Sequence, residues 1–217
     1  YNSDAGINNT IIICRSNKKA NLYNQQIRNK IRWQEDEISS GDRIMIVRNN
    51  YFWTKNENNN KIKFIANGDT AEICRITEII DIYGLRFARA NIKMLEYPEE
   101  KELDVIILLD TLKSESASMN YEQYLELYKN ISIDYKGEKN ITKKVKENRF
   151  LNALQIKFAY AITGHKSQGG QWENVFIDTS YFSKAHLNRS YLRWLYTAIT
   201  RAKKRVYLIN FDDQFFL

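Results

Sequence analysis

Ala161-Ile162-Thr163-Gly164-His165-Lys166-Ser167-Gln168-Gly169-Gly170-Gln171-Trp172 is the stretch on which the reading of the fold turns. Leu154, Ile156, Phe158, Tyr160 and Ile162 alternate on the way into it, which predicts one strand with an apolar face. Ten residues follow, 163–172, with three glycines and a dense set of hydrogen-bonding side chains. In open α/β sheets ligands collect beyond the carboxyl ends of strands, and this loop falls at such an end. Glycine lets a backbone approach a phosphate closely, while Thr, His, Lys, Ser and Gln supply donors. A surface loop that satisfies its own polar groups is the plain alternative, and the length and residue choice here favour a binding loop.

Downstream, apolar runs at 175–177 and 206–209 predict two further strands. Leu192, Leu195, Ile199 and Ala202 recur between them at helical spacing. Arg201 is expected near the end of that helix. An Arg there either answers the helix dipole or reaches a phosphate as a planar, permanently charged group.

Upstream, residues 11–14 form a short strand. Ser16 or Asn17 can cap a helix in which Ala20, Tyr23, Ile27 and Ile31 share a face through Trp33. After the Gly41-Asp42 turn the signals become β. Runs at 44–47, 73–80, 85–95 and 105–109 are punctuated by Asn67-Gly68, a hairpin signal whose two positions favour positive φ, and by Gly84. Such short strands predict a small antiparallel barrel or meander. Residues 56–60 read as a loop tip, 121–130 as a short helix and the Lys-rich 136–147 as an exposed linker. There is no internal repeat. The simplest organisation is an α/β domain made of 1–40 and 148–217, interrupted by a mostly β insertion at 41–147.

With 217 residues and 43% hydrophobic content the chain can bury one good core or two small ones. Its 27% charged and 13% aromatic residues exclude a disordered protein. A net charge of +7 attracts polyanions without choosing among them. Cys14 and Cys74 lack metal-ligand spacing and lie in apolar runs, so they read as buried reduced thiols. No apolar stretch reaches the ~18 residues of a membrane span, and no signal peptide opens the chain, so a soluble, cytoplasmic protein without a membrane partner is expected. His186 reads as a surface residue, Trp33 and Trp194 as core or interface, and Trp53 as either a stacking ring or a packed barrel residue.

Two segments together carry a resemblance. Residues 163–172 resemble motif V of superfamily 1 helicases, and Tyr196-Thr197-Ala198-Ile199-Thr200-Arg201-Ala202-Lys203 resembles their motif VI. His165-Lys166-Ser167-Gln168-Gly169 is typical of the RecD-like branch. Arg15-Ser16-Asn17 with Ala20, Asn21 and Asn24 is similar to motif IV. Gly41-Asp42-Arg43 through Asn49-Asn50, with Asn67-Gly68-Asp69, is similar to the strand pair opening that branch's inserted β domain. These matches lie in the family's order and span most of the chain.

The resemblance implies the C-terminal part of an ATP-dependent DNA helicase of the RecD-like, UvrD C-terminal-domain family. The implied fold is a RecA-like parallel-sheet domain of phosphate-loop NTPase type, interrupted by a small SH3-like barrel. Arg201 would be the arginine finger and Arg15 a second γ-phosphate sensor. Gly169, Gln168 and Gln171 would meet the nucleotide, with Gln171 standing where many relatives have Glu. Thr163 and His165 would hold single-stranded DNA, Lys166 and Ser167 would couple it to the nucleotide, and Asn49 and Asn50 would add DNA contacts. ATP and Mg²⁺ are the implied cofactors. No G-x-x-x-x-G-K-[ST] stretch occurs in the 217 residues. The Mg²⁺ ligands and catalytic Lys are therefore expected in a separate N-terminal RecA-like domain, without which the chain is expected to be inactive. Residues 105–109 ending in Asp110 mimic a Walker B strand but are assigned to the barrel. The rival reading is a non-catalytic nucleic-acid-binding module derived from a helicase.

Overall fold

The structure is a computed structural model that describes residues 6–55, 61–179 and 188–211. His186 and the loop at 56–60 lie outside the described residues. Contacts divide the chain into two compact units, one of Tyr1–Glu35 with Ala159–Leu217 and one of Asp36–Phe158.

The first unit is a parallel sheet in the order β7-β1-β8-β9, formed by Ala161–Thr163, Thr10–Cys14, Trp172–Asp178 and Ala202–Ile209. All five residues of β1 are buried, as a central parallel strand covered on both faces requires. Helix α1 spans Asn17–Lys30, and the Ser16 hydroxyl accepts from the Lys19 N–H at 3.2 Å as its N-cap. It buries Ala20, Asn24, Ile27 and Arg28. The helix stops short of Trp33, whose φ of 56° is left-handed and whose side chain is 83% exposed, so Trp33 is not a core residue.

Asn24 does unusual work for a residue on a buried helix face. Its Oδ1 accepts from the N–H groups of Tyr160 (3.1 Å) and Ala161 (2.7 Å), and its Nδ2 donates to the Ala161 carbonyl at 2.9 Å. The side-chain amide thus stands in for a peptide unit at the start of β7, satisfying backbone groups that burial would otherwise leave unpaired.

The second unit is a closed barrel, β2-β3-β4-β5-β6, of Arg43–Ile46, Thr70–Ile82, Leu85–Met94, Leu103–Leu108 and Leu154–Phe158. Two sequence expectations change here. The run 154–162 is two strands, with β6 closing the barrel and β7 joining the parallel sheet, so the units part after Phe158 rather than before Asn148. The barrel is also not wholly antiparallel, since β5 and β6 pair in parallel. A parallel pair needs a long crossover, and helices α2 (Asp110–Lys113), α3 (Tyr121–Asp134) and α4 (Ile141–Lys146) supply it. For that reason the Lys-rich 136–147 stretch is partly helical, with Val145 fully buried beside Phe87, Leu127 and Ile131.

The 105–109 run forms barrel strand β5, as assigned. The turn with two positive φ values is Tyr83-Gly84 (57° and 74°), matching the strand twist of the β3–β4 hairpin. At Asn67-Gly68 only Gly68 is left-handed (φ 108°), and the Asp69 N–H closes on the Ala66 carbonyl at 3.2 Å. Cys14 is buried and Cys74 half-buried, both as free thiols. On β6, Lys157 donates to the Ser114 carbonyl and Gln155 Oε1 accepts from the Met119 N–H at 2.8 Å, pinning the segment between α2 and α3. Burial pushes the Lys157 ammonium pKa down to about 8. Among the described residues no helix is long and apolar enough to cross a membrane.

Candidate functional site

The strands of the first unit bring the candidate residues to common edges. Cys14 is in register with Thr163 on one side and Asp178 on the other, so β1, β7 and β8 end together. Arg15 leaves from that edge. The 163–172 loop starts there, its Gly164 N–H donating to the Cys14 carbonyl at 3.2 Å, and runs back to the start of β8. Trp172 there pairs with Ala202, and its N–H donates to the Arg201 carbonyl at 2.9 Å.

Each end of the loop meets one of the two candidate arginines, through helix α5 (Arg189–Ile199). At the first end a Cβ added to Gly164 would lie 2.4 Å from Trp194 Nε1, so this glycine is required for close approach. The Arg15 guanidinium lies over the Tyr191 and Trp194 rings, at 5.3 and 5.7 Å from their centroids. The Trp194 indole N–H is buried with no acceptor among the described residues. At the other end Arg201 Nη1 donates to the Gly170 carbonyl at 3.4 Å, Nε to the Thr197 carbonyl at 3.0 Å and Nη2 to Thr200 Oγ1 at 3.0 Å. Arg201 therefore answers the C-terminus of α5 and also ties that helix to the loop. Among the described residues three of its five N–H donors are engaged, leaving two for another acceptor.

Within the loop His165, Gln168, Gly169 and Gln171 are exposed, and Gly169 is left-handed at φ 86°. Thr163 and Lys166 are half-buried, and burial lowers the Lys166 ammonium pKa. Ser167 is fully buried, its Oγ donating to the Gly164 carbonyl at 2.7 Å. It shapes the loop from within.

Asn49 and Asn50 belong to the barrel unit. Asn49 Oδ1 accepts from the Asn67 N–H at 2.7 Å. Asn50 is used internally, accepting from the Phe52 N–H at 2.9 Å and donating to the Asn152 carbonyl at 2.8 Å.

Beside the loop, Asp178 is almost wholly buried. It accepts from Tyr23 Oη (2.7 Å) and Asn210 Nδ2 (3.0 Å), and Lys19 Nζ lies 3.5 Å away. Burial first, and then the Asp178 charge, push the Cys14 thiol up to about 12, so it has no nucleophilic role at neutral pH. Burial and the bond to Asp178 raise Tyr23 as well.

Leu192, Leu195, Ile199 and Ala202 recur at the spacing of one helix face. The buried residues are instead Tyr191 and Ala198. Leu192 is 54% exposed, Ile199 41%, and Ala202 already belongs to β9. Arg189, Ser190, Arg193 and Thr197 share one side of α5, but the opposite apolar arc is wide, running from Trp194 through Tyr191 to Tyr196, and the large Tyr191 ring rather than Leu192 takes the inner position. Asn24, Gly164, Tyr191 and Trp194 are the site residues whose roles sequence reasoning missed. The one available signal was a polar Asn24 in step with Ala20 and Ile27.

The seating of Gly164 is testable. Gly164→Ala places a methyl group inside contact distance of the Trp194 indole. Overpacking of this kind costs about 1–3 kcal/mol, to be read as a lowered urea midpoint. An unchanged midpoint would mean that the indole has room to retreat.

Residues 158–209, which hold the loop, α5 and Arg201, match the UvrD-like helicase C-terminal domain family. An uncharacterized protein of Methanocaldococcus jannaschii is 43% identical over 60 residues, or 28% of this chain and 5% of that protein. The Pif1 helicase of Candida albicans has the same fold, with a TM-score of 0.50 at 12% identity over 95% of this chain and 46% of the helicase. A Pif1 helicase from Bacteroides, in complex with ADP-AlF3 and ssDNA, gives a TM-score of 0.49 at 14% identity over 98% of this chain and 42% of that one. The chain thus spans less than half the length of these helicases.

Proposed function

We propose that this chain is the second motor domain, with its barrel insertion, of an ATP-dependent superfamily 1 DNA helicase of the RecD-like kind. The observation that carries the reading is the bond from Arg201 to the Gly170 carbonyl, which joins the candidate finger to the candidate DNA loop. Arg201 would use its two remaining N–H donors on the γ-phosphate of an ATP held mainly by a separate phosphate-loop domain. Arg15, exposed and seated on two aromatic rings, would be a second sensor at the other end of the loop. The exposed backbone at Gly169 and the amides of Gln168 and Gln171 suit hydrogen bonding to the nucleotide. Thr163 and His165 would hold single-stranded DNA, Lys166 would lie between strand and nucleotide, and Ser167 would keep the loop in shape.

Among the described residues no group of three His, Cys, Asp or Glu is placed to hold a metal. In this reading the Mg²⁺ that neutralises phosphate charge during hydrolysis is held by the phosphate-loop half. Closure of the two halves would complete the site, so that hydrolysis depends on closure and each cycle shifts the 163–172 loop along DNA.

The test is DNA-stimulated ATPase of this chain alone and mixed with the separate phosphate-loop half that the reading requires. Turnover only in the mixture is the expected result. No turnover in either case, with salt-sensitive DNA binding by the chain itself, favours the non-catalytic binding module.

A further inference from the structure

Both ends of the 163–172 loop rest on a tryptophan through a glycine. A Cβ built on Gly164 would collide with the five-membered ring of the Trp194 indole, and one built on Gly170 with the far edge of the Trp172 indole. Neither glycine has a positive φ, whereas Gly169 between them does. Glycine at 164 and 170 is therefore a matter of space, not of backbone conformation. The loop is a span held between two ring seats.

The seats reach their arginines in different ways. At the Trp172 end Arg201 bonds the loop directly, through the Gly170 carbonyl. At the Trp194 end the Arg15 side chain makes no hydrogen bond among the described residues. Its guanidinium is placed by the Tyr191 and Trp194 rings, which lie 5.9 Å apart, centroid to centroid. The indole N–H of Trp194, buried and without an acceptor among the described residues, does not anchor its ring. Contact alone locates Trp194, with Gly164 packed on one part of the indole and Arg15 over its face. In an interior packed as densely as a crystal, a ring held in that way shifts when its neighbour shifts.

We propose that Trp194 is a positioning residue that carries displacement of the loop at Gly164 to the Arg15 guanidinium. In the motor function proposed for this chain, on which this role rests, the loop meets DNA and Arg15 a γ-phosphate, and Trp194 is the physical link between them. Thr163 directly precedes Gly164, so a strand held at Thr163 presses on the Trp194 seat. The indole turns, and the cation over its face follows. Arg201, bonded to the loop itself, needs no such relay.

The experiment has two arms. In the 217-residue chain, NMR follows the Arg15 side-chain protons, which ring currents from Tyr191 and Trp194 hold upfield of their unfolded positions. Gly164→Ala is expected to move them, while Gly170→Ala, an equal overpacking at the Trp172 seat, leaves them in place. Equal movement in both variants, or none in Gly164→Ala, overturns the relay. The second arm combines the chain with the phosphate-loop half and reads DNA-stimulated kcat, with substitutions that add no bulk. Trp194→Leu is expected to lower kcat by up to about a hundredfold, the scale of a misplaced catalytic group, and Trp194→Phe, which keeps an aromatic face, to restore most of it. Because Trp194 acts through Arg15, Arg15→Ala joined to Trp194→Leu should be no slower than Arg15→Ala alone, whereas Trp172→Leu should multiply the Arg15→Ala loss. An unchanged kcat in Trp194→Leu, or losses at Arg15 and Trp194 that multiply, overturns the proposal. A parent mixture without turnover sinks the motor function instead, and the relay is then decided by the Arg15 shift.

Discussion

On the proposed reading, Arg201→Ala is expected to lower DNA-stimulated ATP turnover of the complete motor by about 10³–10⁵-fold, the range associated with loss of an arginine finger, while leaving oligonucleotide affinity near that of the parent. The size follows from the chemistry of the step. Charge builds on the phosphate oxygens in the transition state, and a guanidinium held in a site of low dielectric stabilises it there rather than in the ground state. Arg201 also bonds Thr197, Thr200 and Gly170, so its removal loosens the end of α5. Arg201→Gln separates the two effects, since the amide can keep a bond to a helix carbonyl but brings no charge. Both variants should be equally inactive if the finger is the role. Arg201→Lys should recover little, because an ammonium cannot reproduce the planar fork. Steady-state turnover within about tenfold of the parent for Arg201→Ala would leave only the structural role.

The second large effect is on folding. Asn24→Ala strips the partner from two N–H groups and one carbonyl at the entry to β7, in a buried setting. Each such group left unpaired costs about 1–3 kcal/mol, so the loss should reach roughly 3 kcal/mol or more. That is a large part of the 5–15 kcal/mol by which domains of this kind are stable. Asn24→Asp keeps the acceptor and loses the donor, and should fall between the two. Urea titration gives the energies, and amide exchange at Tyr160 and Ala161 locates the effect. A loss under about 1 kcal/mol would show that water or a backbone shift replaces the amide. Because β7 leads directly into Thr163 and Gly164, the same variant should also disorder the start of the candidate DNA loop.

What the sequence made legible followed from chemistry that is local in the chain. The 163–172 loop could be placed beyond a strand because Ala161, Ile162 and the glycines announce the change themselves. The helix after Arg15 announced its start through Ser16, and a strand was expected at 105–109 because an apolar run there lacks any phosphate loop to serve. The misreadings depended on partners distant in the chain. Alternation continues unbroken from Leu154 to Ile162, yet the first half pairs with β2 and β5 and the second with β1. Nothing local marks that handover. Tyr191 and Leu192 are both apolar, and only packing against the loop decides which one turns inward. Ser167 reads as a free hydroxyl until the turn folds back and brings it to the Gly164 carbonyl. Asn24 carried a weak sign, a polar residue in step with apolar ones, but its hydrogen-bond partners lie 136 and 137 residues away.

The division into Tyr1–Glu35 with Ala159–Leu217, around Asp36–Phe158, also sets an order of birth on the ribosome. Strand β1 emerges first, yet both its neighbours, β7 and β8, are translated only after the barrel is finished. A nascent chain can thus complete the barrel, whose strands are continuous in sequence, while Ile11, Ile12 and Ile13 still wait for theirs. Until then that apolar strand is an unpaired edge, the kind of surface through which half-made chains adhere to one another. Once formed, the barrel shortens the wait in space if not in time, because its own closure carries residue 159 back toward residue 35 and reduces the loop entropy that β1 must overcome.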